Sequence, residues 1–263
     1  MKLTLLEKIP RGRDRSFLSE LEKRLEEIAS GLVVEFEILG LTDKRMPRVQ
    51  VLGEDEEAFV EILRKLFGVA PRNIRDLVDR AVQKGFMEKA SEQKDVMTID
   101  VGLEDSTSFR AFLRTERLRA QLFEGAPVSL QAMISRFGFV EDFPLEIRVV
   151  SYAGTGQEAE VELSDEQRDK LQEWRLLPFD RITVRNSTAS ELSSAVRKAG
   201  LERDIAGIES LSLGVHSVIC KLGTDGQGLV RRLGSQLEAA QLFVFHPNGE
   251  RTQETRHKTK THR

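Results

Sequence analysis

The stretch CKLGTDGQG, from Cys220 to Gly228, is the most unusual in the sequence, a glycine-rich run that follows its single cysteine. It joins an expected strand to an expected helix. A glycine-rich turn of that kind points backbone N–H groups and the positive end of the helix outward, so Gly223, Thr224, Asp225, Gly226 and Gly228 could hold an anion. The same residues also fit a tight strand-to-helix turn with Asp225 as its N-cap. The stretch is no Walker loop, because Lys221 precedes the glycines and no Gly-Lys-Ser/Thr follows. Cys220 is the only cysteine, and a nucleophilic thiol needs a base beside it. His216 lies four residues back. On a strand the two share a face but stand about 13 Å apart, which reads as a buried structural thiol. Asp100, Glu104 and Asp105 are of the type that binds Mg²⁺, yet Asp100 followed by Gly102 is more simply a strand-end turn. The histidines, at 216, 246, 257 and 262, make no metal cluster. No G-x-S-x-G, H-E-x-x-H or G-x-G-x-x-G occurs. The residues therefore assemble no catalytic set and call for no cofactor.

Basic residues gather in three places. Arg110, Arg114, Arg117 and Arg119 have only Glu116 against them locally, and guanidinium groups suit phosphate contacts. Residues 84–163 nevertheless hold 9 basic and 14 acidic side chains, so an RNA surface there is a patch, and a salt-bridged solvated face is the competing reading. Arg64, Lys65, Arg72, Arg75, Arg80 and Lys84 form a second run, offset by Asp76 and Asp79. The terminal NGERTQETRHKTKTHR carries Arg251, Arg256, Lys258, Lys260 and Arg263 and no apolar side chain, so residues 248–263 are expected to be disordered. Run and tail together could steer the protein to a polyanion, or simply keep it dissolved.

The 263 residues suffice for two or three small domains, and 40% hydrophobic content can fill their cores. A net charge of −3 excludes a wrapper that coats nucleic acid with its whole surface. No apolar run is long enough for a membrane span, and the first residues lack the apolar region of a signal peptide, so a cytoplasmic protein is expected.

Periodicity divides the chain into an N-terminal β-α-β-β-α unit (1–70), a middle unit (71–165), a C-terminal unit (166–247) and the basic tail. In the first, strands over 1–9, 32–41 and 48–52 alternate with helices over 16–30 and 54–67. In the middle unit KGFMEKAS, DVMTIDVGL, FRAFLRTERL, PLEIRVVSY and EAEVELS are strands, and residues 130–137 form a helix. Five short strands and one helix are the pattern of a Greek-key barrel of the OB type. The third unit opens with a helix over 165–176, whose Trp174 packs between units rather than stacking on a base. It continues as β-α-β-β-α-β, the ferredoxin-like order. The expected fold class is α+β, with two ferredoxin-like sandwiches flanking an S1/OB-like barrel.

Two resemblances follow from these stretches. KGFMEKAS, DVMTIDVGL and LEIRVVSYAGTGQEAEVELSDEQ resemble the strands of an S1-type RNA-binding domain. The resemblance implies single-stranded RNA bound on the barrel face by Phe86, Arg110, Phe112 and Arg114, with Arg117 and Arg119 beside them. It departs from the S1 pattern at Val96-Met97-Thr98, where an aromatic usually stands, and in an insertion near 120–142. From about residue 1 to 246 the chain is similar to an archaeal family known as domain of unknown function number 2110. VLGEDEEA, TIDVGLED, LRTERLRAQLFEG, FGFVEDFPLEIRV, LSDEQRDKLQEW, FDRITV and VICKLGTDGQG carry the likeness. It implies an archaeal source and the same three-part plan, and no activity. The expected function is a non-enzymatic RNA-associated protein acting with the ribosome or transcription apparatus. The alternatives are an anion sensor built on the C-terminal turn, which is a little like that of ACT-type regulatory domains, and a scaffold that binds only protein.

Overall fold

The computed structural model describes residues 1–79, 82–91, 95–103, 109–153 and 158–247. Arg80, Glu104, Asp105 and the basic tail lie outside the described residues. The N-terminal unit runs β1 (Lys2–Thr4), α1 (Asp14–Ala29), β2 (Val34–Leu41), β3 (Pro47–Gly53) and α2 (Glu56–Leu66). Its antiparallel sheet has the order β1-β3-β2. Phe17, Leu21 and Leu25 on α1 and Phe59, Val60 and Leu63 on α2 recur at helical spacing and are all buried against Leu3, Val49 and Val51 of the sheet. Each such side chain contributes about 1.5–3 kcal/mol on burial. Beyond α2 the chain returns to the free edge of β1, where Val69 bridges Leu5.

After α3 (Ile74–Asp79) come β4 (Gln83–Ser91), β5 (Val96–Asp100), β6 (Arg110–Arg114), α4 (Thr115–Phe123), α5 (Leu130–Phe137), β7 (Pro144–Ala153) and β8 (Glu158–Leu163). The five strands close into a barrel in the order β4-β5-β6-β8-β7, with β6 and β8 parallel and the other pairs antiparallel. FRAFLRTERL is not a single strand. It turns into α4 at Thr115, whose N–H and hydroxyl both donate to the Asp95 carbonyl across β5. Ser129 caps α5, and Gly138 ends it in a left-handed conformation (φ 64°).

The remaining elements are α6 (Asp165–Leu176), β9 (Arg181–Arg185), α7 (Ala189–Lys198), β10 (Ile205–Ser212), β11 (Val215–Cys220), α8 (Gly226–Gly234) and β12 (Gln241–Phe245). Ser164 caps α6 and a Thr188/Glu191 capping box opens α7. The sheet is antiparallel throughout, in the order β10-β11-β9-β12. Leu171 and Trp174 of α6 belong to the barrel's core, so this helix packs with the middle unit instead of leading the third. The chain is thus mixed α+β, with a closed five-stranded barrel between two other sheets. No helix among the described residues is long and apolar enough to cross a membrane.

The three units share cores. Val215 and Phe245 of the C-terminal sheet enter the barrel's cluster, where Phe245 stacks on Phe137 at 5.7 Å and meets Trp174 edge-on at 5.8 Å. Leu213, at the β10–β11 turn, enters the N-terminal core. Leu6, Met46, Ala70 and Phe86 make a fourth cluster between the first unit and the barrel. Gly102 lies against it at φ +75°, where a Cβ would stand 2.4 Å from Leu6. Glu7, only 1% exposed, ties all three units together: the Lys84 ammonium of β4 donates to it at 2.5 Å and the Leu213 N–H at 2.6 Å.

Removing one partner of a buried ion pair strands the other, at a cost of about 3–5 kcal/mol. Glu7→Ala should therefore lower the urea midpoint sharply, and adding Lys84→Met should recover part of the loss. A Glu7→Ala midpoint equal to that of the parent would refute this role.

Candidate nucleic-acid interface

Alternation along β6 puts Arg110, Phe112 and Arg114 on the outside of the barrel while Ala111 and Leu113 are buried. Register places Thr98 of β5 on one side of Phe112 and Glu160 of β8 on the other, with Glu158 across from Arg110. The outward face of β8 is a row of glutamates, and these take up the arginines. Arg114 reaches Glu160 at 3.3 Å, and Arg117 binds Glu160 at 2.5 Å and Glu162 at 3.2 Å. Arg148 joins them at Glu162. The hydrogen bond from Arg117 holds the Glu160 carboxyl below its ordinary pKa and the guanidinium above its own. Arg119 donates to the Val128 carbonyl at 2.7 Å. Arg110 alone among these four has no hydrogen bond or ion pair to the described residues. Phe112 is half-buried. Phe86, contrary to the expectation from the sequence, does not lie on an open barrel face. It is 0% exposed, sealed between the first unit and the barrel with the Lys8 and Lys84 ammonium groups 5.9 and 5.5 Å from its ring centre, and no base can stack on it.

The turn at 223–228 is likewise filled from within. The Asp225 carboxylate accepts from Gln227 N at 3.2 Å and Gly228 N at 3.1 Å, and the Asp180 carboxylate accepts from Gly226 N at 2.9 Å. The other Asp180 oxygen meets His246 at 2.9 Å. The N–H groups that would face an anion already have two carboxylates, so the capping reading describes this turn. Thr224 N donates to the Lys221 carbonyl, and Gly223, at φ +82°, makes the turn itself.

Cys220 is buried, and burial together with Asp180, Asp225 and Asp204 pushes its thiol up to about 12. A thiol held in that state is no nucleophile. His216 is fully buried, with Nδ1 3.1 Å from the Ser210 hydroxyl and Nε2 2.9 Å from the Ser187 carbonyl. That carbonyl can only accept, so Nε2 carries the proton. The Asp100 carboxylate is likewise occupied by protein groups. Its carboxylate takes Lys8 at 2.6 Å, Lys44 at 2.9 Å and the Gly102 N–H at 2.9 Å. Burial raises its pKa, but the two ammonium groups outweigh this and leave it below the ordinary value. Among the described residues no three His, Cys, Asp or Glu side chains could hold a metal ion.

What the fold does build is a basic seam. A cleft of about 580 Å³ opens where the three units meet, lined by Arg64, Lys65, Lys84 and Lys170 and by one acid, Glu146. It adjoins a second of about 1030 Å³ along β1, lined by Lys2, Arg48, Arg64, Arg72 and the acid Asp76. The clefts meet at Arg64 and Val69. Seven basic side chains thus face two acidic ones. Lys84 is committed to Glu7 and Lys170 to Glu209, at 2.5 Å each, and Arg64 reaches Glu61 at 3.5 Å. The run Arg64, Lys65, Arg72 is visible in the sequence. Lys2, Arg48 and Lys170 lie outside that run and join it only through the fold.

The fold and its surface define a three-unit α+β protein whose central barrel is locked between two sheets and flanked by a cationic seam. Residues 81–175 match the DUF2110 central domain and residues 179–245 the DUF2110 C-terminal domain. Together the matches cover more than half of the chain, and the protein belongs to the DUF2110 family. No curated protein matches it.

The buried histidine has a consequence for pH. Burial holds His216 at about 4, against about 6.5 in an unfolded chain. The unfolded state then binds the extra proton between those values, so stability is complete above pH 6.5 and falls as the pH drops towards 4. Below that, Asp100 adds a loss as the pH falls through its lowered value. Urea midpoints at pH 7.5 and 5 should differ in the parent and converge in His216→Gln. An unchanged difference would remove His216 from the account.

Proposed function

We propose that this is a non-enzymatic, cytoplasmic, RNA-associated protein acting with the ribosome or transcription apparatus, and that it holds RNA on the seam rather than on the outward barrel face. One observation carries this reading: in a chain of net charge −3, seven basic side chains line two adjoining clefts that contain two acids. A surface potential of that sign draws phosphate backbones and concentrates them locally. The barrel face has the opposite character, since Arg114, Arg117 and Arg148 already hold glutamates. We read the barrel as S1/OB-like because its order β4-β5-β6-β8-β7 places the third strand parallel to the fifth. We read the flanking units as ferredoxin-like because in each the sheet's second strand is outermost and the third lies beside the first.

Binding to RNA should weaken steeply with salt, with a log–log slope of about −0.7 per phosphate neutralised on a single strand. Arg64→Ala/Lys65→Ala/Arg72→Ala should lower affinity about tenfold or more, while each replacement, being exposed, leaves stability within about 0.5 kcal/mol. Arg110→Ala/Phe112→Ala/Arg114→Ala should bind as the parent does. The reverse ranking in fluorescence anisotropy would return the site to the barrel face. A pull-down with and without ribonuclease distinguishes RNA from purely protein partners.

A further inference from the structure

The seam offers cations but no stacking platform. The chain has fourteen Phe, one Tyr and one Trp, and all of them lie within the described residues. None is exposed: Phe36, Phe112, Tyr152, Phe179 and Phe243 are half-buried and the others are buried. Three aromatics border the first cleft, and all sit beneath its surface, Phe67 at 4%, Phe143 at 1% and Trp174 at 1% exposure. The Trp174 ring is further taken up by Phe245 at its edge and by the Arg181 guanidinium 4.8 Å from its centre.

Proteins that hold single strands draw about 1–3 kcal/mol per base from stacking on exposed rings. This surface has no ring to supply it. In a paired segment the bases already stack on one another, and a protein meets them through shape, phosphates and 2′-hydroxyls. The seam also suits a regular array of phosphates because its cations stand on units fixed to each other by Glu7–Lys84 and Asp100–Lys8. A flexible strand would have to be ordered onto that array, at a cost in conformational entropy, with no stacking in return.

We propose that the seam binds paired RNA and discriminates against the single strand. This rests on the RNA reading above and deepens it. The test is fluorescence anisotropy on the full chain with one labelled RNA of about 16 nucleotides, the span of a double-stranded-RNA module, offered alone and annealed to its complement at the same salt. The duplex should bind about tenfold tighter, a difference the size of one lost stacking contact. Arg64→Ala/Lys65→Ala/Arg72→Ala should abolish that preference. A single strand that binds as tightly as the duplex overturns the pairing inference and leaves the RNA reading standing. A duplex preference that persists in the triple variant overturns the placement on the seam. Salt-insensitive or undetectable binding of both RNAs overturns the RNA reading itself.

Discussion

The Glu7 carboxylate is the contact on which the arrangement of this molecule depends. It stands just past the first strand of the chain, yet its two oxygens are used by the barrel and by the C-terminal sheet, through Lys84 and the Leu213 N–H. A buried charge is tolerated only where its partners stand within hydrogen-bond reach, because the low dielectric that strengthens a met contact also magnifies an unmet one. The pair therefore does little for net stability compared with an apolar filling. Its effect is on uniqueness: any displacement of one unit leaves an uncompensated ion behind. Asp100, with Lys8 and Lys44 reaching it from the first unit, repeats the device on the neighbouring barrel strand. Between the two carboxylates Phe86, Leu6, Met46 and Ala70 close the apolar part of the joint.

That joint decides which surfaces remain for a ligand. A barrel of this size alone would present both of its outer flanks to solvent. Here β4 is covered by the first unit, and β12 and α6 cover the side next to α5. What stays open is the face of β6 and β8, where register sets arginines against glutamates. Opposite charges at neighbouring positions gain little from each other in water, but they cancel the field that would attract a polyanion. The clefts left where three units meet are of the opposite kind. Their cations come from separate segments, and only two acids, Glu146 and Asp76, line them.

The sequence discloses the local structure well, because caps and periodicity are local physics. Asp225, Ser129 and the αL glycine Gly138 sit where helix ends require them, and α5, α6 and α7 begin and end where the apolar spacing says. FRAFLRTERL misleads because its alternation over 109–114 continues by chance into TERL, and only the Thr115 bonds to Asp95 show the turn. The surroundings of the site residues are less legible, for a different reason. A strand's alternation separates the two faces of a barrel but does not say what covers the outer one. Phe86 points outward, as its place on β4 demands, and meets another unit instead of solvent. Arg114 and Arg117 read as free cations because Glu160 and Glu162 lie more than forty residues away.

The chain's negative net charge does not oppose a cationic seam, because the acids are sorted. Glu22, Glu26 and Glu27 are exposed on α1, Glu35 and Glu37 on β2, and Glu158 of β8 on the barrel face, with Glu160 and Glu162 half-buried beside it. At physiological salt, exposed charges separated by more than about 8 Å are largely screened from one another, so a ligand feels the groups it faces rather than the sum over the molecule. The sorting depends on the joint. Were the first unit free to turn on the barrel, Arg64 and Lys65 would part from Lys170, and the acidic faces would mix into the same surroundings. The buried carboxylates thus hold the units in register and, by doing so, keep like charges together on one open side of the molecule, against their mutual repulsion. That sorted surface, beside a barrel face whose Arg114, Arg117 and Arg148 hold glutamates, is what the proposed RNA reading rests on.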